Sequence, residues 1–184
     1  KKEMTKVKVL KNEQMADGTF RLTLENEHIS QTSHAGNFIN VQVPQCDRVL
    51  WRRPFSVHST NPDEKSFQIL ISAIGRGTSE LREIESGEYL DVIGPLGNSF
   101  TVRPDLKELI VVGGGIGIAP FKLLLEDAKN IPCKKTVFFG VGTEEQLCCL
   151  DEFEKLGADL VLCTDDGSKG FSGFVTTPLK DYLE

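Results

Sequence analysis

Over its first hundred positions the chain runs in short β-favouring segments, a few apolar residues interleaved with polar ones and closed by a turn signal. Six such segments predict strands over residues 5–10, 19–24, 37–43, 52–58, 66–72 and 89–93. Asp17-Gly18, Pro44, Asn61-Pro62-Asp63 and Gly94-Pro95-Leu96-Gly97 punctuate them, the last as a turn at the end of the barrel. Six short strands at this spacing predict a small antiparallel β-barrel. One helix interrupts it, over residues 78–84, with Thr78 as N-cap and Leu81 and Ile84 facing inward. His28 and His34 fall in a polar loop.

After Pro104 the pattern changes to strand–helix alternation. Residues 108–112, 136–140 and 159–164 read as strands, and 117–129 and 144–156 as helices. The first helix gathers Phe121, Leu124, Leu125 and Ala128 on one face, the second Leu147, Leu150 and Phe153. Such alternation predicts a parallel sheet covered by helices. The fold class is therefore β followed by α/β, a barrel over 1–103 and a nucleotide-binding sheet over 104–184, with the boundary near Val102–Asp105. Only three parallel strands fit before Glu184, fewer than a doubly wound sheet usually has, so the second domain is predicted to be incomplete.

The composition adds exclusions. With 39% hydrophobic and 26% charged residues the chain is ordinary globular material. A net charge of −6 opposes a phosphate-rich polymer, so nucleic acid is not an expected partner. The longest apolar run, residues 109–121, is too short and glycine-broken to span a bilayer, and no signal-peptide pattern opens the chain. Cys46, Cys133, Cys148, Cys149 and Cys163 show no metal-ligand spacing. They read as reduced thiols of a cytoplasmic protein, with Cys148-Cys149 together on a helix, and none is assigned to a metal.

Four motifs remain. Gly113-Gly114-Gly115-Ile116-Gly117-Ile118-Ala119-Pro120 follows an apolar strand and opens a helix, where backbone N–H groups can receive a phosphate. Arg53-Pro54-Phe55-Ser56 could offer a bidentate guanidinium to a diphosphate and a hydroxyl to a ring edge. Alone it also fits an edge strand with an exposed Arg and a Pro at a bulge. Gly75-Arg76-Gly77-Thr78 is a second helix start that could receive an anion, or simply a tight loop. Gly94-Pro95-Leu96-Gly97 needs no chemistry to explain it.

In this order and spacing, with Asp151-Glu152-Phe153 and Thr164-Asp165-Asp166-Gly167-Ser168 after them, the motifs resemble the ferredoxin–NADP reductase superfamily. Within it they are most similar to the electron-transfer subunits of NAD-linked dihydroorotate dehydrogenases. The resemblance implies an FAD-containing subunit that moves electrons between NAD and a partner, an FMN-containing dihydroorotate dehydrogenase catalytic subunit of pyrimidine biosynthesis, in a hetero-oligomer. It implies that Arg53, Pro54, Phe55 and Ser56 contact FAD, with Ser56 near flavin N5. It sets Leu70, Ile71 and Ser72 along the ribityl and adenosine side, and Gly77 and Thr78 on the diphosphate. Gly114, Gly115 and Gly117 would shape the nicotinamide nucleotide site, with Thr164 and Asp165 to Ser168 near it. Two family features are missing here, a Cys-Gly-Pro segment and a four-cysteine [2Fe–2S] cluster, so a cluster is expected only if the natural chain continues past Glu184. NAD is expected over NADP, because Gly140-Val141-Gly142-Thr143-Glu144-Glu145 has two acids and no Arg.

Hydride transfer to flavin requires no acid or base from the protein, so His58 reads as a surface or strand-end residue. Alternative readings are a reductase subunit serving a hydrogenase, a sulfide dehydrogenase or a ferredoxin, a flavin-free scaffold module, and a reductase of diffusible flavin.

Overall fold

A computed structural model describes residues 3–44 and 51–184. Cys46 lies outside the described residues. The first part is a closed antiparallel barrel, in the order β1-β2-β5-β4-β3-β6. Its strands are β1 (Glu3–Ala16), β2 (Thr19–Glu25), β3 (Phe38–Gln42), β4 (Arg53–Asn61), β5 (Ser66–Ser72) and β6 (Tyr89–Leu96). Alternate side chains point inward, so Leu22, Leu24, Ile39, Val41, Ile69 and Val92 fill its interior. β1 is longer than its hydrophobic pattern because it serves two neighbours in turn. It pairs with β6 from Glu3 to Lys8 and with β2 from Lys8 to Ala16, bulging twice on the way.

Three expectations for the barrel are corrected. Gly94-Pro95-Leu96 is not a turn but the end of β6, since Gly94 pairs with Glu3 and Leu96 with Phe38. Gly94 is required there, because a Cβ would stand 2.6 Å from Ile39 Cγ2. Residues 27–32 are not loop but a short helix, α1 (Glu27–Thr32), capped by Asn26, whose side chain accepts from Ile29 N at 2.8 Å. His28 sits within this helix and His34 just after it. Finally, α2 (Arg76–Arg82) starts two residues early, with Gly75 as its N-cap. Thr78 is instead the third helical residue. Its hydroxyl donates to Gly75 O at 2.9 Å and accepts from Gly75 N at 3.1 Å, which closes the first turn.

The second part is a parallel sheet in the order β10-β9-β8-β7. Its strands are β7 (Glu108–Gly114), β8 (Lys134–Val141), β9 (Ala158–Thr164) and β10 (Phe171–Ser172). The fourth strand has two residues and no hydrophobic pattern, which is why a three-strand sheet was expected. Both expected helices are interrupted. The first is a 3-10 turn, Gly115–Ile118, followed by α3 (Phe121–Asp127), with Pro120 capping. The second is a 3-10 turn, Glu144–Gln146, then a break at Cys149 (φ 61°), then α4 (Leu150–Lys155). Cys148 and Cys149 therefore precede α4 rather than share a helix. A last helix, α5 (Thr176–Leu183), crosses β8, with Val175 against Gly140 and Tyr182 edge-on to Phe138 at 5.4 Å. No helix among the described residues is long and apolar enough to cross a membrane.

A polar seam joins barrel and sheet. Arg21 Nη1 of β2 meets Glu152 Oε1 of α4 at 2.5 Å. Ser59 of β4 donates to Glu126 of α3 at 3.0 Å, and Ala35 N donates to Asp127 Oδ2 at 3.2 Å. Lys122 bridges Glu126 at 2.5 Å and Glu152 at 3.9 Å.

Candidate functional site

The barrel opens at one place along its wall. The β4–β5 ladder runs from Asn61↔Ser66 to Val57↔Ile69, with an irregularity between Val57 and Ser59, and ends there. Beyond it Arg53, Pro54, Phe55 and Ser56 stay paired with β3, while Leu70, Ile71 and Ser72 stay paired with β2. The two segments thus run on without a ladder between them. These are the same seven residues singled out in the sequence. Leu70 and Ile71 are fully buried, backbone included, and only Ser72 of this segment is part-exposed. Arg53 is half-buried and donates to Trp51 O at 3.0 Å. Pro54, which has no N–H to leave unpaired, is exposed.

Beyond β5 the chain turns directly into α2. Gly77 is buried and Thr78 half-buried, with the Thr78 hydroxyl committed to Gly75.

On the sheet side, β7 ends in the glycine-rich turn. A Cβ on Gly113 would meet Phe121 Cε2 at 3.0 Å and Ile118 N at 3.2 Å, so glycine lets the turn pack against α3. Gly115 has φ +51° and nothing within 4 Å of a built Cβ, so its requirement is conformational. A cavity of about 390 Å³ lies at the carboxyl ends of the strands, lined by Gly114, Gly115, Gly140, Val141, Asp165 and Phe174 among others. Ligands of open parallel sheets bind in this position. Gly117 lies in the adjoining 3-10 turn and Thr164 is buried beneath the loop, and neither lines the cavity. The Thr164 hydroxyl donates to Lys169 O and accepts from Lys169 N, both at 3.0 Å, and so shapes the 165–169 loop. In that loop Ser168 donates to Asp166 Oδ1 through Oγ (2.6 Å) and N (2.9 Å), holding the Asp166 carboxyl below the usual range.

A smaller cavity, about 100 Å³, lies between the barrel and the sheet. Ser72 lines it from one side and Gly115, Ile116 and Cys148 from the other. The barrel opening and the glycine-rich turn are therefore neighbours across one gap. A larger cavity, about 650 Å³, lies elsewhere, between the β1–β2 hairpin and residues 82–86. None of the motif residues lines it, and charged Lys11, Arg82, Glu83 and Glu85 dominate its rim, so we place no chemistry there.

His58 overturns its sequence reading. It is fully buried, not at a surface or a strand end, because it points from β4 into the seam. Its Nδ1 lies 2.7 Å from Ala119 O and its Nε2 3.8 Å from Cys149 Sγ. The hydrogen bond with Cys148, then burial, push the Cys149 thiol far up, so it stays protonated. His58, Cys149 and Glu152 offer donor atoms within 4.8 Å of one another, a set that sequence spacing could not show. Arg21 and Lys122 already neutralise Glu152, and two cations there oppose a divalent ion.

Comparison with known proteins identifies these features. Residues 6–100 match the oxidoreductase FAD-binding domain family. The electron transfer subunit of dihydroorotate dehydrogenase B (NAD(+)) from Desulforamulus reducens is 32% identical over 177 residues, covering 96% of this chain and 68% of that protein. The corresponding subunit from Lysinibacillus sphaericus is 36% identical over 178 residues, covering 95% and 68%. The chain belongs to this family. It spans about two thirds of the length of these family members. A solved NADH-dependent reduced ferredoxin-NADP oxidoreductase has the same architecture, with a TM-score of 0.85 and 27% identity over 97% of this chain and 63% of that one. The ferredoxin reductase of carbazole 1,9a-dioxygenase shares the family fold at a TM-score of 0.83 and 18% identity, covering 99% and 57%.

Proposed function

We propose that this chain is the flavin- and nicotinamide-binding part of an electron-transfer subunit. It would exchange electrons between NAD(H) and a catalytic partner, an FMN-containing dihydroorotate dehydrogenase. Residues 1–103 form the FAD unit in this reading and residues 104–184 the NAD unit. The carrying observation is the unladdered stretch between Arg53–Ser56 and Leu70–Ser72, which opens next to the glycine-rich turn.

The residues present fit FAD. Two strand segments with no ladder between them suit a flat polar ring system. The Arg53 guanidinium would leave Trp51 O for the diphosphate, with the N–H groups of Gly77 and Thr78 on the same group. Ser56 would orient the ring edge, and Leu70, Ile71 and Ser72 would line the ribityl and adenosine side. Gly114 and Gly115 would admit the nicotinamide nucleotide, Gly117 would leave the turn open, and Thr164 would hold Asp165 at the cavity wall. When bound, FAD supplies the hydride and single-electron chemistry that side chains lack. Glu144 and Glu145 follow β8 and favour a free ribose hydroxyl over a 2′-phosphate, which supports NAD over NADP.

The test is the visible spectrum of the full-length protein during anaerobic titration with NADH. Flavin bands that bleach support the reading, and a colourless protein that cannot be reconstituted with FAD ends it. Arg53→Ala should lower FAD retention about tenfold or more, as expected for loss of a charge-assisted contact to phosphate. No motif here resembles a dihydroorotate site, so without its partner the chain should leave dihydroorotate unoxidised.

A further inference from the structure

We propose that His58 is a positioning residue: it ties the flavin-side strand to the glycine-rich turn and so sets how the two nucleotide sites face each other. The inference rests on the site assignment above. His58 follows Ser56 by two residues on β4, and Ala119 closes the turn that begins at Gly113. One buried hydrogen bond of 2.7 Å spans these two motifs. Ser59, Arg21 and Ala35 also cross the seam, but they hold helices α3 and α4, whereas His58 reaches the turn itself.

The direction of the bond follows from its partners. A backbone carbonyl can only accept, so Nδ1 carries a proton and donates it to Ala119 O. Nε2 faces Cys149 Sγ at 3.8 Å. The imidazole is thus held at Nδ1 by Ala119 O, with Cys149 Sγ packed beside Nε2. Cys149 takes a left-handed backbone conformation, rare for a residue with a side chain, and from there its thiol reaches the ring. A fully buried imidazole fixed in this way meets little competition from water and holds the carbonyl firmly. Without the donor, Ala119 O loses this partner, and the turn can shift against β4.

The test compares three variants of the full-length, FAD-loaded protein. His58→Asn keeps an N–H near the position of Nδ1. His58→Gln carries its amide out toward Nε2, and His58→Leu keeps the bulk with no donor. The first readout needs no turnover: amide hydrogen exchange of residues 113–119, with β1 and β2 as internal reference. The second is the limiting rate of flavin reduction at saturating NADH. In the Leu and Gln variants we expect turn exchange to rise and the reduction rate to fall, each about tenfold or more, because small misplacements of reacting groups are costly. FAD content should be retained, and the Asn variant should stay within about threefold of wild type on both readouts. Equal behaviour of Asn and Gln, or unchanged exchange of the turn in a folded Leu variant, overturns the proposal. If Leu does not fold, the Asn–Gln pair still decides. If NADH fails to reduce the wild-type protein, the functional reading falls, and the exchange measurement still judges His58.

Discussion

Gly94 shows how much a single hydrogen atom in place of a side chain can decide. Its neighbour Ile39 is fully buried in the barrel and has no room to yield, so Gly94→Ala should destabilise the protein by about 1–3 kcal/mol, measured by urea unfolding. In an Ile39→Ala background the extra cost should shrink, since the clashing Cγ2 is gone. Asp166 gives a titration at the same scale. Its folded carboxyl is held low by Ser168, so its contribution is present above the ordinary value of 3.8 and is lost as pH falls through the lower folded value. Ser168→Ala should return the carboxyl toward that ordinary value in an NMR titration. Arg53, Ser56, Gly114 and Gly115 could be singled out in the sequence because they fall in motifs whose order and spacing resemble a known family. His58 was not legible, because nothing near it in the chain hints at Ala119 or Cys149, 61 and 91 residues away.

At the scale of elements, the sequence located strands better than helices. β2 and β5 were legible within a residue, because period-two alternation leaves little choice when one face is buried. α1 was hidden by its brevity and polarity, with only Ile29 and Ser30 buried. The two helices of the second part were read as continuous because each break is conformational rather than compositional, one a 3-10 turn and the other a left-handed cysteine. α2 was misplaced by two residues because a threonine that usually caps from the N-cap position here reaches back from the third. That back-bond should matter. Thr78→Val removes both contacts to Gly75 and should cost about 1 kcal/mol in thermal or denaturant unfolding, in the range of other helix-start losses.

For the whole molecule, the seam is the part the sequence hid most completely, because every tie between barrel and sheet joins residues from opposite halves of the chain. Arg21 and Glu152 are both mostly buried, so removing one takes from the other its nearest partner. Arg21→Met should therefore destabilise by about 2 kcal/mol or more, and it should loosen the barrel–sheet contact before either part unfolds, visible as hydrogen exchange that rises first along α4. Chain order gives the seam a further consequence, one that belongs to time. All six barrel strands have been synthesised once Leu96 is made, whereas every seam partner of Arg21, Ser59 and His58 lies between Ala119 and Glu152. On the ribosome, where chains emerge from the N-terminus, the barrel's half of the seam therefore waits for its other half. The barrel is therefore complete in sequence before the elements that set the sheet against it exist, and the placement of one part on the other comes later in the chain's birth.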